Sequence, residues 1–176
     1  IRHSISKFSS FHFVTNSLYK KRLMQLGEDP KSIFYVGSTG AEKINKLQLL
    51  GKKDIKNKLG FSLREKNYLV TFHPVTLQSD YGVNDFKVLL NFLLKKKKDG
   101  IIFTLPNADA NNLKIRKMIK KFVNKHKHAK YYTSLGKINY LSCVKNVDFV
   151  IGNSSSGLSE VPSLKKTTIN LGIRQA

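Results

Sequence analysis

A chain of 176 residues, 40% of them apolar, can bury a real core, and its one cysteine excludes a disulfide framework or a thiolate metal site. No apolar run is long enough to span a bilayer, and a reducing cytosol is the expected setting. The formal net charge of +21 brings nucleic acid, an anionic membrane surface and a phosphorylated ligand into view, yet of 32 basic residues only Arg2, Arg22, Arg64, Arg116 and Arg174 are arginines, and lysine in bulk more often marks a solvated face.

In chain order, the stretch from Ile1 to Phe11 suits the end of a helix, and HFVT at His12 reads as a short strand. Asn16 or Ser17 caps a helix over Leu18 to Leu26, which Gly27 ends before Pro30, and Ile33 to Val36 is a second strand. Gly37 to Gly40 is a loop. Residues 41–60 form a lysine-rich, partly amphipathic connection carrying Leu47, Leu49, Leu50 and Ile55. From Asn67 a strand–helix rhythm sets in, with strands at Tyr68–Phe72, Ile101–Leu105, Lys130–Thr133, Phe149–Ile151 and Thr168–Leu171. Helices alternate with them at Asn84–Lys97, Asn112–Lys125, Lys137–Asn146 and Ser155–Leu164. Phe86, Leu89, Leu90 and Leu93 share one helix face, and Ile115, Met118, Ile119 and Phe122 another; both are core faces. Cys143 lies in an apolar helical pattern and is expected to be a buried structural thiol. Short apolar strands alternating with helices predict an α/β fold with a Rossmann-like, doubly wound parallel sheet. The expected organisation is a domain tail over 1–40, a connecting segment over 41–66 and a Rossmann-like domain over 67–176, truncated at its end. Because it opens on Ile1 and not on Met, the chain reads as a fragment.

Ligands of such sheets sit at the carboxyl ends of the strands, so the residues there are the candidates. The first strand of the rhythm ends at His73-Pro74-Val75-Thr76, the second at Pro106-Asn107-Ala108-Asp109, and the fourth at Gly152-Asn153-Ser154-Ser155-Ser156. Serines at a helix N-terminus suit a phosphate, and Glu160, further into that helix, suits a ribose diol; a serine N-cap with a surface Glu is the bland alternative. His73 reads as a diphosphate donor, a pH-sensitive acid or a structural histidine. Asn107 suits a sugar or phosphate oxygen, or closes a turn. Tyr140 stacks on a base or packs in the core, and Arg174 pairs with a phosphate or is an exposed arginine near the chain end. His3, His12, His73, His126 and His128 make no ligand cluster, so no metal is expected.

HPVT at His73, PNAD at Pro106, SLGKINYLS at Ser134, GNSSSGLSE at Gly152 and NLGIRQ at Asn170 together resemble the hydrolysing UDP-N-acetylglucosamine 2-epimerases of the sialic-acid type. RHSISK at Arg2, FHFVT and YVGS resemble the close of that family's first domain, and Asn67 onward its second. The resemblance implies the second half of a GT-B-like two-domain fold, with the sugar nucleotide in the cleft and UDP held mainly by the second half. It implies diphosphate contacts from Ser154 and Ser155, ribose contacts from Glu160, a uracil-side position for Tyr140, phosphate-side positions for His73 and Arg174, and Asn107 near the sugar nucleotide. It also implies elimination of UDP across C1 and C2 to a glycal, then addition of water, with release of N-acetylmannosamine and UDP for sialic-acid-type and cell-surface polysaccharide synthesis. No cofactor is implied, and the full-length family is commonly dimeric. Its catalytic carboxylates lie in the first domain, including an acidic pair just before the segment like Arg2-His3-Ser4, so the isolated chain is expected to be inactive. Pro-Val-Thr after His73, in place of a His-Arg-rich pattern, favours the hydrolysing branch, some of whose relatives act on a UDP-diacetamido-trideoxyhexose of the legionaminic acid route.

Two rivals stand beside this reading. Lys95 to Lys98 and Lys117 to Lys127 suggest a nucleic-acid-binding module, but they fall on polar helix faces or ends with no groove-reading motif. A glycosyltransferase of the same architecture would also bind UDP.

Overall fold

Asn16 begins the first well-formed helix of the protein: its Oδ1 accepts the Tyr19 N–H at 2.9 Å and satisfies one of the unpaired donors of the first turn. The computed structural model describes residues 1–37, 44, 46–76, 78–108 and 111–175. Ser38 to Gly40 of the expected loop, the start of the lysine-rich segment and Asp109 lie outside them.

The chain divides into two units, Ile1–Lys43 and Ile44–Ala176. In the first, α1 (Arg2–Phe8), β1 (His12–Val14), α2 (Ser17–Gln25) and β2 (Ile33–Tyr35) follow one another, with a single 3-10 turn over Pro30–Ser32. β1 and β2 pair in parallel, His12 opposite Ile33 and Val14 opposite Tyr35. Val14 and Ile33 are buried, whereas Phe8, Phe11, Phe13 and Tyr35 are exposed. Glu28 joins the ends of this unit by accepting from Lys7 at 2.9 Å and facing His12 at 3.1 Å.

The second unit contains α3 (Lys52–Leu59), β3 (Asn67–Thr71), α4 (Val83–Leu94), β4 (Gly100–Thr104), α5 (Asn112–Lys125), β5 (Ala129–Tyr132), α6 (Gly136–Asn146), β6 (Phe149–Gly152), α7 (Ser156–Ser163) and β7 (Thr167–Asn170). The strands form one parallel sheet in the order β5-β4-β3-β6-β7. Side chains alternate across it. Tyr68, Val70, Ile101 and Phe103 meet Phe86, Leu89 and Leu93 of α4 and Ile115, Ile119 and Phe122 of α5 on one face. Leu69, Ile102 and Val150 meet Cys143 and Val144 of α6 and Val161 of α7 on the other. This is the doubly wound α/β arrangement expected from the alternation. β3 and β4 are buried along their whole length, and β7, at the sheet edge, is largely exposed.

Of residues 41–66, read from the sequence as a connection, Ile44 and residues 46–66 belong to this second unit. Ile44 and Ile55 are almost fully buried. The Leu50 N–H donates to Ser142 Oγ and the Leu50 carbonyl accepts from Asn146 Nδ2, both at 2.9 Å. The open C-terminus of α3 is closed from β5, because Lys130 Nζ and the Tyr132 hydroxyl both donate to the Leu59 carbonyl at 2.8 Å.

Candidate functional site

The order of strands reverses between β3 and β6: the chain steps outward through β4 and β5, then returns to the other side of β3. At such a switch point the connections leave in opposite directions and open a crevice above the carboxyl ends. A cavity of about 540 Å³ occupies this place, a volume suited to a nucleotide-sized ligand.

Its floor is set by register. Thr71 ends β3 opposite Thr104 of β4 on one side and Gly152 of β6 on the other. The Thr71 and Thr104 hydroxyls are hydrogen-bonded at 2.6 Å, and both residues are buried. Gly152 has φ of +146°, and a Cβ there would lie 1.8 Å from the Thr71 carbonyl oxygen. Only glycine lets β6 end against β3 in this way. The chain then turns under the end of β3, placing Asn153 fully inside the protein. Asn153 Oδ1 accepts the His73 N–H at 2.7 Å, and its Nδ2 donates to the His73 carbonyl at 2.8 Å.

His73, itself buried, lines the cavity after β3. Its Nδ1 accepts the Asn107 N–H at 3.3 Å, an arrangement that in a neutral imidazole leaves the proton on Nε2. Leu105 and Asn107 line the wall after β4, and Thr133, Ser134, Leu135, Gly136 and Lys137 the wall after β5. Ser154, Ser156 and Glu160 close the side formed by the start of α7. Tyr140 of α6 donates its hydroxyl to Ser156 Oγ at 2.8 Å, and burial first of all raises its pKa, so the phenol stays protonated and bridges α6 to α7. Ser154 Oγ accepts the Ser156 N–H at 3.3 Å, ordering the first turn of α7. The assembled wall thus offers neutral hydroxyl and amide donors, one imidazole, one lysine and one carboxylate.

Five of the seven residues singled out in the sequence, His73, Asn107, Tyr140, Ser154 and Glu160, line this one cavity. Ser155 and Arg174 are outside its lining. Ser155 is exposed at the N-cap of α7, and Arg174 lies after β7 with Nη1 donating to the Asn153 carbonyl at 2.9 Å. Sequence reasoning passed over Thr71, Thr104 and Lys137, and it named Asn153 and Ser156 only as parts of the strand-end turn and of the serine run at the helix N-terminus. The signal for Thr71 and Thr104 was present: they are the polar residues that end otherwise apolar strands, and the strand-end rule applies to them as well as to the turns beyond.

A sequence model of the family described as UDP-N-acetylglucosamine 2-epimerase matches residues 1–176. The GDP/UDP-N,N'-diacetylbacillosamine 2-epimerase (hydrolyzing) of Campylobacter jejuni is 44% identical over 176 residues, which are 99% of this chain and 46% of that protein. Polysialic acid biosynthesis protein P7 of Escherichia coli is 44% identical over 177 residues, 99% of this chain and 44% of that protein. The chain therefore spans just under half the length of these curated relatives. Among solved structures, the S. aureus MnaA–UDP co-structure superposes with a TM-score of 0.72 at 18% identity, over 93% of this chain and 42% of that one. The UDP-GlcNAc 2-epimerase of Neisseria meningitidis bound to UDP-GlcNAc gives 0.64 at 18% identity, over 93% and 44%. The five-stranded parallel fold is thus that of one half of the GT-B-like epimerase structures. By the match over its whole length and by its 44% identity to two curated relatives, the chain belongs to the UDP-N-acetylglucosamine 2-epimerase family.

Proposed function

We propose that the strand-end cavity holds the UDP of a UDP-sugar, and that this chain is the nucleotide-holding part of a hydrolysing UDP-sugar 2-epimerase. One observation carries the reading: five separately predicted residues, from three different strand ends and from α6, line a single cavity at the sheet's switch point. Ser154, with Ser155 at the outer edge, faces the diphosphate, joined by Ser156. The Nε2–H of His73 donates to it, Glu160 accepts from the ribose hydroxyls, Tyr140 borders the uracil side and Asn107 the sugar side. Arg174 serves the phosphate side from beyond β7. Donors gathered on the diphosphate stabilise the charge that develops as UDP departs from C1, while the proton at C2 is removed; water then adds to the glycal and frees the 2-epimer. The name of the C. jejuni relative supports a UDP-diacetamido-trideoxyhexose as substrate and that of a 33% identical relative from Neisseria meningitidis supports UDP-N-acetylglucosamine; we put the latter first, and the motifs do not decide between them.

Titration calorimetry of the chain with UDP and with uridine tests the nucleotide site. Because the diphosphate carries much of the interaction, UDP binds at least about tenfold more tightly than uridine. Equal affinity for the two, or duplex DNA binding that exceeds UDP binding at physiological salt, overturns it. Because the resemblance assigns the carboxylates that act on the proton at C2 to the first domain, residues 1–176 by themselves are proposed to release no free sugar from UDP-N-acetylglucosamine, and detection of free N-acetylmannosamine would contradict this.

A further inference from the structure

The hydrogen-bond ladder between β3 and β6 ends at Thr71 opposite Gly152. One residue further, the side chain of Asn153 takes over the pairing. Its amide presents one acceptor and one donor to the His73 N–H and carbonyl at 2.7 and 2.8 Å, as a peptide group of a neighbouring strand would. The main chain of Asn153 is equally engaged: its N–H donates to the Thr71 carbonyl at 3.2 Å, and its carbonyl accepts Arg174 Nη1 at 2.9 Å and Gln175 Nε2 at 3.2 Å. The residue is fully buried. An aspartate here would lose the donor to His73 and bury a charge, and an apolar residue would leave two buried main-chain groups of His73 unpaired.

We propose that Asn153 is a positioning residue for ligand binding: its side chain fixes the backbone of His73, while its own carbonyl is held in turn by Arg174 and Gln175. The inference rests on the UDP reading of the cavity and adds to it the residue on which the placement of His73 depends. With the backbone of His73 held at both N–H and carbonyl, the ring keeps its Nδ1 under the Asn107 N–H. A residue that only stabilised the fold would weaken ligand binding regardless of what stands at position 73.

A double-mutant cycle separates the two cases. Asn153→Ala weakens UDP binding about tenfold in the parent chain, and by less than about twofold when His73→Ala is already present. Gln175→Ala, at a half-buried position after β7, loses one donor to the Asn153 carbonyl and gives a smaller loss, about two- to threefold, that also vanishes in the His73→Ala background. Losses of equal size in both backgrounds, or a folded Asn153→Ala chain with parental UDP affinity, overturn the proposal. If Asn153→Ala does not fold, the Gln175→Ala cycle decides by the same criterion. Histidine-selective ¹⁵N spectra without any nucleotide give an independent reading: both variants shift the His73 ring signals, and unmoved signals overturn the positioning role. A parent chain that fails to bind UDP while these signals do shift overturns the UDP reading and leaves the positioning of His73 standing.

Discussion

Three consecutive serines show what a sequence does and does not reveal at the scale of a residue. GNSSSG announces a helix N-terminus rich in donors, but identical side chains carry no mark of which way the first turn faces. The backbone decides it: α7 starts at Ser156, which turns inward beneath Tyr140, Ser154 caps the turn from the cavity side, and Ser155 is left outside. Arg174 was named from the sequence as a phosphate-side candidate, but its contact was not legible, since only the folded path after β7 brings it back to the Asn153 carbonyl. Glu160 was legible, because its spacing of about one helical turn from Ser156 sets it on the same side. Its proposed role makes a specific prediction: Glu160→Gln weakens UDP binding about tenfold, the worth of a charge-assisted hydrogen bond over a neutral one, and leaves binding of 2′,3′-dideoxy-UDP unchanged. Calorimetry with the two nucleotides checks this, and an equal loss for both would remove Glu160 from the ribose.

At the scale of elements, the helices and strands of the second unit were legible because their apolar residues repeat with the right period. Phe86, Leu89 and Leu93 on α4, and Ile115, Ile119 and Phe122 on α5, are the buried faces that spacing predicted. The segment before β3 was not, since within α3 four lysines stand against two apolar residues and only Ile55 is buried. Two element-scale predictions follow from how the sheet is closed. Gly152→Ala sets a methyl against the Thr71 carbonyl at the junction of β3 and β6, and costs about 3 kcal/mol or more, read as a lowered urea midpoint. Retained stability would mean that β6 ends differently. On the opposite face of the sheet, burial pushes the Cys143 thiol up to about 12 from an ordinary 9.0, and the Tyr132 hydroxyl, first through burial, up to about 12 from 10.0. In the folded chain both groups keep protons that the unfolded chain releases, so stability is fully present below pH 9 and declines as pH rises from there towards 12. Urea denaturation at pH 8, 9.5 and 11 checks the sign; stability that rises along this series would contradict it.

For the whole molecule, the charge of +21 comes from 32 basic against 11 acidic residues, and among the described residues it is not gathered at the cavity. Lys114, Lys117, Lys120, Lys121 and Lys125 of α5 are all exposed, whereas Lys137 is the one lysine lining the cavity among the described residues. None of the described helices is long and apolar enough to cross a membrane, and no group of three or more potential metal ligands occurs among the described residues. On the proposed function, ligand binding is concentrated in one place, at the carboxyl ends of β3 to β6. Backbone amide shifts on titration with UDP test that claim most directly. Changes concentrated in Thr71–His73, Thr104–Asn107, Ser134–Tyr140, Ser154–Glu160 and around Arg174 are the predicted result; changes centred on the lysines of α4 and α5, or none at saturating UDP, would contradict it.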